Sequence, residues 1–440
     1  MSFETLNLNP PLLKALHDLG YTQATPIQER VFSVVMSGRD VVGIAQTGTG
    51  KTFAYLLPLL RQLTFSKQKE PRVLIVVPTR ELVIQLVGEI RKLTPYMTAR
   101  VEGVYGGTNI NTQKQLVVNG LDMLVATPGR LVDLALSGAL NLKYIRQLVI
   151  DEVDEMLNLG FRTQLTNILD LLPRKRQNLL FSATLPEEID DMIEVFFNTP
   201  VTIEVVRAGT PLESIVQGAY QVPNFYTKLN LLVHLLANDA TMQKVLIFGA
   251  SKKMADQIYE HLGARFPEQF EIIHSNKSQN YRNNAVRQFE DGSRRGLIAT
   301  DLLARGLDVT DVTHVINVDT PGEPETYIHR IGRTGRADRA GAALLLVTEA
   351  EQPAREAIEA LMEKEIPLLA LPEDLRISDQ LTDEERHPGP EKNYLTPPPV
   401  RTGAFHEKLE KNKKVNLGNK TKFLREKKYK KPIKRGSKRK

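Results

Sequence analysis

Short apolar runs alternate with longer amphipathic stretches along most of this chain. In the first half, these runs are nearly free of polar residues and rich in Val, Ile and Leu: residues 41–44, 73–77, 123–126, 148–150 and 179–182. Such runs are typical of strands in a parallel sheet that is covered on both faces. The stretches between them, for example residues 79–93, repeat their apolar positions at the helical period. The pattern therefore predicts alternating strands and helices.

A second series of apolar runs begins near Val216 and continues at residues 245–248, 272–274, 297–300, 315–318 and 343–347. Two such series predict two doubly wound α/β lobes in tandem. We place the first domain at residues 1–206, a linker at 207–212 and the second domain at 213–372. Residues 373–400 contain the strings HPGP and TPPP, which predict an extended proline-rich spacer.

The composition, 41% hydrophobic and 25% charged over 440 residues, is that of a soluble globular protein with more than one domain. No apolar stretch reaches the roughly 18–20 residues of a membrane span, and the N-terminal residues lack the pattern of a secretory signal. The chain has no cysteine, which excludes disulfides, thiol catalysis and cysteine-ligated zinc. We therefore expect a cytoplasmic protein.

The net charge of +6 is unevenly distributed. Residues 401–440 contain 17 Lys and Arg against 3 Glu, a net charge of +14, so residues 1–400 carry −8. Because it holds few apolar groups, this segment is predicted to be a disordered basic tail. Phe405, Phe423 and Tyr429 stand between its lysines, a composition typical of nonspecific RNA tethering. A purely solubilising tail and a nuclear import signal in KRGSKRK are the alternatives.

The string AQTGTGKT at residues 45–52 follows the first apolar run and has most of the elements of a phosphate-binding loop, although Ala45 replaces its usual first glycine. Gly48 and Gly50 let backbone N–H groups turn toward phosphate oxygens. Lys51 can reach the β- and γ-phosphates, and the Thr52 hydroxyl can bind Mg²⁺. These residues predict a nucleotide site.

The string DEVD at residues 151–154 follows the apolar run 148–150, so Asp151 is expected at a strand end beside the phosphate loop. Asp151 is the candidate partner of Mg²⁺, largely through water, and Glu152 is the candidate to polarise the attacking water. Two solvated acids at a strand end are the ordinary alternative.

A third string, HRIGRTGR at residues 329–336, holds arginines at positions 330, 333 and 336. This spacing predicts that they share one face of a short helix. A surface salt-bridge face would explain such arginines. Phosphoryl transfer, however, needs positive charge delivered from outside the phosphate loop, which an arginine from the second lobe can supply.

Ten strings in order give the chain its resemblance to a known family: GYTQATPIQ, AQTGTGKT, PTRELVIQ, GG, TPGR, DEVD, SAT, QNYR, TDLLARGLDV and HRIGRTGR. Over about 350 residues the chain resembles the DEAD-box ATP-dependent RNA helicases. The KSQ string at residues 277–279 looks like the bacterial RhlE-type subgroup. The resemblance implies two RecA-like domains, with ATP and Mg²⁺ bound between them.

The resemblance also implies roles for individual residues of the nucleotide site. Gln28 would read the adenine edge and Phe3 would cover the base, with Tyr21 also implied to bind the nucleotide. The alternative for Phe3 is a hydrophobic staple for the first helix. Asp308 would bind the ribose, Arg333 and Arg336 would stabilise the transition state, and His329 would link the lobes. The phosphate-loop residues implied to bind the nucleotide are Ala45, Gln46, Thr47, Gly48, Thr49, Gly50, Lys51 and Thr52.

RNA contacts are implied on both lobes. They are Arg80, Gly107, Thr127 and Arg130 on the first, and Arg282 and Thr300 on the second, with Ser182 and Thr184 coupling the two sites. Hydroxyls, glycine N–H groups and single arginines suit phosphate and 2′-hydroxyl contacts, which do not read bases. The residues themselves do not separate RNA from DNA; that choice depends on the resemblance.

Two residues depart from the family pattern. Val153 stands in place of alanine in the DEAD string, and Ala24 in place of a frequent proline near the adenine site. We expect activity to survive both changes. The chain is therefore interpreted as an ATP-dependent RNA helicase that unwinds short duplexes. An ATP-controlled RNA clamp or annealing factor and a DNA translocase are the alternatives.

Overall fold

The computed structural model describes residues 2–45, 49–185, 187–205, 215–301, 312–335 and 341–386. Several sequence predictions lie outside these ranges: the linker at 207–212, residues 387–400 of the spacer, and the basic tail at 401–440. The same applies to five predicted site residues, namely Gln46, Thr47, Gly48, Asp308 and Arg336.

The first lobe is built on a parallel sheet with the strand order β3-β4-β2-β5-β6-β1-β7. Its strands, β1 to β7, are Val41–Ile44, Val73–Val76, Val101–Val104, Met123–Ala126, Gln147–Asp151, Gln177–Ser182 and Val201–Glu204. Its helices, α1 to α9, are Pro10–Asp18, Pro26–Met36, Lys51–Gln62, Arg80–Leu93, Ile110–Val118, Pro128–Leu136, Val153–Asn158, Arg162–Leu171 and Glu187–Phe196. Two short 3-10 helices, Phe3–Leu6 and Leu142–Tyr144, complete the described part of this lobe.

The second lobe repeats this architecture around a parallel sheet with the order β10-β11-β9-β12-β13-β8. Its strands, β8 to β13, are Ile215–Gln221, Val245–Phe248, Phe270–Ile273, Gly296–Ala299, His314–Asn317 and Gly341–Val347. Its helices, α10 to α15, are Phe225–Asn238, Lys252–Gly263, Gln279–Glu290, Pro324–Ile331, Gln352–Met362 and Asp383–Arg386, with a 3-10 helix at Glu349–Glu351. No helix within the described ranges is both long and apolar enough to cross a bilayer.

Both faces of the first sheet are covered, as the continuous apolar runs predict. On β2, Val73 and Ile75 pack into the core on one face, whereas Leu74 and Val76 pack into the core on the other. All four side chains are at most 2% exposed. The alternation follows from the two-residue period of a strand.

The strand order places the candidate site. β6 lies between β5 and β1, and all three run parallel. Because parallel strands end at the same edge of a sheet, the loop after β1, Asp151 of β5 and Ser182 of β6 leave the sheet side by side. The register agrees, with Ile44 opposite Ser182 and Asp151 opposite Phe181.

The apolar pattern did not predict two strands of the first lobe, β3 and β7. Both lie at the edges of the sheet. Glu102 and Gly103 interrupt the apolar residues of β3, and Thr202 and Glu204 of β7 are exposed. An edge strand carries polar residues on its uncovered side, so a search for unbroken apolar runs passes over it.

The predicted helical face of Arg330, Arg333 and Arg336 is wrong. Helix α13 ends at Ile331, and Gly332 follows as its C-terminal cap. Arg333 therefore lies beyond the helix, where its N–H donates to the Arg330 carbonyl. The low helix propensity of glycine favours an end at this position. Arg330 itself is buried inside the second lobe.

Residues 373–386, which the sequence assigns to the spacer, contact the second lobe. The Asn224 side chain donates to the Ser378 carbonyl at 2.5 Å, and Asn230 donates to the Arg376 carbonyl at 2.8 Å. The Phe225 N–H donates to Glu385 at 2.6 Å. The packed part of this lobe thus extends to Glu385, beyond the predicted boundary at residue 372.

Gly43 in β1 provides a test of how tightly this sheet is packed. A Cβ at Gly43 would lie 2.6 Å from the Phe181 ring on the neighbouring strand, whereas a Cβ at Gly88 in α4 would meet no atom within 4 Å. We expect Gly43→Ala to lower the free energy of unfolding by ~1–3 kcal/mol through overpacking. The control Gly88→Ala should raise it by ~0.5–1 kcal/mol because alanine favours helix. Urea unfolding followed by circular dichroism measures both, and equal midpoints would contradict the packing argument.

Candidate active site

The phosphate loop enters helix α3 through Gly50. Its φ of +93° is in the left-handed region, and a Cβ there would lie 2.5 Å from the side-chain nitrogen of Gln28. That nitrogen donates to the Gly50 carbonyl at 3.1 Å, while the Gln28 oxygen accepts from the Thr25 N–H at 3.0 Å. At the other end of the loop, the Ala45 N–H donates to the Ser182 carbonyl at 3.0 Å. Both ends are therefore held by neighbouring elements.

Lys51 is the first residue of α3 and is 7% exposed. Among the described residues, its ammonium has no hydrogen-bond partner. A buried charge without a partner is unfavourable, so this position suits an anion such as a phosphate oxygen. The Lys51 charge also acts on the neighbouring acids: burial raises the pKa of Asp151 and Glu152, and the Lys51 charge opposes that rise.

Asp151 is the last residue of β5, and Glu152 is the N-terminal cap of α7. One Asp151 oxygen accepts from the Glu152 N–H at 3.0 Å, and the other accepts from the Tyr55 hydroxyl at 2.8 Å. Burial raises the pKa of Asp151. Burial, followed by the charge of Asp151, raises the pKa of Glu152 to about 7, against the opposing charges of Lys51 and Arg333. Glu152 also has a left-handed φ of +53°, a strained conformation often found at functional sites.

Asp154, the last acid of the DEVD string, connects three parts of the molecule. Its Oδ2 accepts from the N–H groups of Ala183 and Thr184, at 3.1 and 3.2 Å, just after β6. The Nε2 atom of His329, in the second lobe, lies 3.7 Å from the same oxygen. The nearby Ser182 side chain is fully buried. One carboxylate thus contacts the SAT string and the HRIGRTGR string together.

The arginines of the second lobe have different surroundings. Arg330 is 2% exposed and binds Asp301 at 2.5 Å and Asp319 at 3.0 Å, with its guanidinium 5.0 Å from the centre of the Phe248 ring. Arg333 is 5% exposed, and its charge opposes the rise in the pKa of Glu152 that burial causes. Arg330 therefore stabilises its own lobe, whereas the charge of Arg333 acts on an acid of the first lobe.

The residues predicted to bind adenine come from neighbouring segments, since the Phe3 N–H donates to the Thr22 carbonyl at 3.5 Å. Phe3 is 4% exposed and packs into the hydrophobic core of the first lobe, which is the alternative that its sequence position left open. Tyr21 is half exposed, and its ring meets that of Phe53 edge-on at 5.2 Å. Gln28 is buried beside the phosphate loop.

Two strings predicted to contact RNA are joined by a buried glutamine. Gln113 of α5 donates to the Thr108 hydroxyl at 2.8 Å, directly after the GG string. Its side-chain oxygen accepts from Arg130 at 2.6 Å, and Arg130 also donates to the Thr108 carbonyl at 2.9 Å. Arg130 lies on α6, and the buried Thr127 is the N-terminal cap residue of that helix. The loop after β3 and the start of α6 therefore form one surface.

Arg80 and Arg282 meet at a shared acid. Glu81 accepts from Arg80 at 3.0 Å and from Arg282, on α12 of the second lobe, at 2.9 Å. The side chains of Glu81 and Arg282 are only 13% and 6% exposed, so this ion pair is largely shielded from water. Gly107 lies close by, since a Cβ there would be 3.2 Å from Arg80.

Thr300 lines a cleft between the lobes with a volume of about 580 Å³. The second lobe contributes Ser251, Lys252, Lys253 and Ser275 to its walls, and the first lobe contributes Glu155, Asn158 and Leu159. Lysine and hydroxyl side chains suit phosphate oxygens. Of the described residues predicted to contact RNA, Arg80, Gly107 and Arg282 lie together. Thr127 and Arg130 lie at the start of α6, which is joined to the loop of Gly107 through Thr108, and Thr300 belongs to this cleft.

Comparison with known proteins agrees with this geometry. The family model for DEAD/DEAH box helicases matches residues 25–192, and that for the helicase conserved C-terminal domain matches residues 227–338. The DEAD-box ATP-dependent RNA helicase CshA of Geobacillus kaustophilus is 39% identical over 350 residues, which cover 80% of this chain and 74% of the relative. The chain belongs to the DEAD-box family of ATP-dependent RNA helicases. CshA of Bacillus subtilis is 37% identical over 387 residues, covering 87% and 78% of the two chains.

Solved structures confirm the predicted pair of RecA-like domains in this DEAD-box helicase. Saccharomyces cerevisiae Dbp5 bound to RNA and ADP BeF3 has a TM-score of 0.76 at 28% identity, covering 84% of this chain and 95% of that one. Mss116p bound to ssRNA and AMP-PNP has a TM-score of 0.77 at 26% identity, covering 85% and 81%.

Sequence reasoning did not single out four residues of this DEAD-box site. Asp154 carried a signal, as the last acid of DEVD, and Glu81 lies inside PTRELVIQ. Tyr55 follows Lys51 by one helical turn, a spacing that places both on one face of α3. Gln113 had no recognisable signal, because its contacts depend on how α5 packs against the loop after β3.

The Glu81–Arg282 ion pair predicts energetic coupling between the lobes of this DEAD-box helicase. Neutral variants Glu81→Gln and Arg282→Gln should each weaken closure, while the double variant should be little worse than either single one. The expected coupling is ~0.5–3 kcal/mol, as for contacting residues. Closure can be measured by energy transfer between dyes on engineered cysteines at Leu136 and Val216, which are 74% and 70% exposed. The natural chain has no cysteine, so the dyes would attach only at these two positions.

The matched control is Arg162→Gln. It removes an exposed ion pair within the first lobe, in which Arg162 lies 3.7 Å from Glu188. It should leave closure unchanged. Strictly additive losses at Glu81 and Arg282 would contradict the coupling.

Proposed function

We propose that this DEAD-box helicase closes its lobes on single-stranded RNA when ATP binds, separates short duplexes, and reopens after hydrolysis. The observation that supports this most is the position of Asp154, whose carboxylate contacts Ala183 and Thr184 and lies 3.7 Å from His329 of the other lobe. A change at the nucleotide can therefore move the lobes. Ser182 and Thr184 are the proposed coupling residues.

In this proposal Lys51 binds the β- and γ-phosphates, with Ala45, Gly50 and the loop between them surrounding the nucleotide. Thr52 and Asp151 hold Mg²⁺, largely through water; both offer the oxygen ligands that this ion prefers. Bound Mg²⁺ would neutralise charge on the phosphates. The buried Lys51 ammonium, which has no partner among the described residues, supports an anionic ligand at this place.

We assign to Glu152 the orientation and deprotonation of the attacking water. A general base works best when its pKa lies near the working pH, and burial raises the pKa of Glu152 to about 7. Arg333, together with Arg336, would stabilise the charge of the transition state. His329 would hold the second lobe in place through Asp154.

Base recognition is assigned to Gln28, with Tyr21 and Phe3 beside the ring and Asp308 on the ribose. Gln28 already bonds Gly50 and Thr25 through one N–H and one lone pair of its oxygen, so its second N–H and second lone pair would read adenine. The same side chain would then link base binding to the phosphate loop.

RNA would be held through its backbone. The proposed contacts are Arg80, Gly107, Thr127, Arg130, Arg282 and Thr300. They offer guanidinium, hydroxyl and backbone N–H donors, which position a strand without reading its sequence.

The RhlE-type assignment rests on residues 277–279 alone, whereas both curated relatives described above are CshA proteins. A cytoplasmic location stays a prediction.

Strand-displacement assays on RNA and DNA duplexes, with and without ATP, test this function. Unwinding of RNA duplexes with ATP is the expected result. ATP-dependent retention of RNA without displacement would favour a clamp or annealing factor, and displacement of DNA alone would favour a translocase.

Glu152→Gln should reduce ATP turnover by at least ~10²-fold while ATP-dependent RNA binding is retained or prolonged, because the water would lose its base. Phosphate release and RNA binding by fluorescence anisotropy are the measurements. Glu188→Gln, on the exposed face of α9, is the control and should behave as the parent. Turnover within tenfold of the parent would refute the role.

Removal of residues 401–440 should weaken RNA binding most at low salt, since these residues carry a net charge of +14. For single strands, log affinity falls with log salt by about 0.7 per phosphate neutralised, so five contacts would contribute roughly 3.5 to the slope. ATP turnover at saturating RNA should stay nearly unchanged. Equal slopes with and without the tail would show that it does not bind RNA directly.

A further inference from the structure

Tyr55 occupies an unusual place for a tyrosine, at the centre of the first lobe and against the acids of the nucleotide site. It lies on α3, three residues after Thr52 and four after Lys51, so its side chain shares their side of the helix. Its ring is fully buried and packs on Phe181 of β6, with the ring centres 5.2 Å apart.

The hydroxyl of Tyr55 is directed at a single acceptor. It donates to Oδ2 of Asp151 at 2.8 Å, while Oδ1 of the same carboxylate accepts from the Glu152 N–H at 3.0 Å. Two donors from two different elements thus fix the orientation of the Asp151 carboxylate. A phenol is ordinarily protonated near neutral pH, so the Tyr55 hydroxyl is the donor in this bond.

Packing alone does not require this hydroxyl. The ring fills its space against Phe181, and a phenylalanine would fill the same space without placing a polar group in the core. A buried hydroxyl is unfavourable unless it is hydrogen bonded, so its presence is explained by its partner, Asp151. Ligating carboxylates commonly have such a hydrogen-bond partner behind them, which sets their orientation.

We propose that Tyr55 is a positioning residue for the Mg²⁺–nucleotide complex, acting through Asp151. Its hydroxyl occupies one lone pair of Oδ2 and turns the carboxylate so that its remaining lone pairs face the phosphate loop. The inference rests on the proposed function, because it takes Asp151 as the residue that holds the ion.

The test is the Mg²⁺ dependence of nucleotide binding, measured with the fluorescent nucleotide N-methylanthraniloyl-ADP. Tyr55→Phe keeps the ring and removes the hydroxyl. The Mg²⁺ concentration for half-maximal tightening of nucleotide binding should rise by ~10-fold or more, the usual effect of losing such a partner. The nucleotide affinity in EDTA should stay within about twofold of the parent. The thermal unfolding midpoint in EDTA should stay close to that of the parent.

Tyr96→Phe is the matched control. Tyr96 also donates from its phenol to a carboxylate, that of Asp18 at 2.5 Å, but on the surface of the same lobe. This variant should leave the Mg²⁺ dependence unchanged. In an Asp151→Asn background, Tyr55→Phe should cause no further shift, because the residue through which it acts is already altered.

Three results would overturn the inference. They are an unchanged Mg²⁺ dependence in Tyr55→Phe, an equal loss of affinity with and without Mg²⁺, and a full additional shift in the Asp151→Asn background. The parent protein separates this failure from failure of the proposed site. If its nucleotide binding does not depend on Mg²⁺, the proposed metal site is wrong. If it does and Tyr55→Phe matches it, only the role of Tyr55 is wrong.

Discussion

The parallel alignment of β5, β6 and β1 is the constraint on which the site of the first lobe depends. Because these strands end at one edge, three segments far apart in sequence meet there. The hydrophobic cores on both faces fix the register, since a shift by one residue would exchange the two faces of every strand. A polar site of this kind is therefore positioned by apolar packing.

Acidic charge is concentrated at this edge. Asp151, Glu152 and Asp154 lie within four consecutive residues, and two of them are at most 7% exposed. Carboxylates so close together repel one another unless cations or hydrogen-bond donors stand nearby. Lys51 supplies one cation from the same lobe, and Arg333 supplies another from the second. Approach of the second lobe therefore lowers the repulsion within the first.

The sequence predicted the central strands well and the periphery poorly. β1 and β4 have the predicted bounds, because buried parallel strands leave an apolar run with abrupt ends. The edge strands β3 and β7 were not predicted, because polar residues interrupt their apolar runs. The end of α13 was not predicted, because the arginine spacing continues past Gly332, where the helix ends. In the site, the phosphate loop and Asp151 follow from motif and strand together. The bridge made by Gln113 does not, because it depends on a tertiary contact that leaves no local pattern.

The two hydrogen bonds of Gln28 have a consequence for discrimination between bases, if this residue reads the base as proposed. The bonds to Thr25 and Gly50, each worth about 0.5–1.5 kcal/mol, fix the orientation of the amide and leave its second N–H and the second lone pair of its oxygen for the base. Adenine presents an acceptor beside a donor and matches both. Guanine presents two acceptors on the same edge, so it would leave the amide oxygen without a donor. Because the internal bonds hold the amide in this orientation, they would contribute to the selectivity between the two bases.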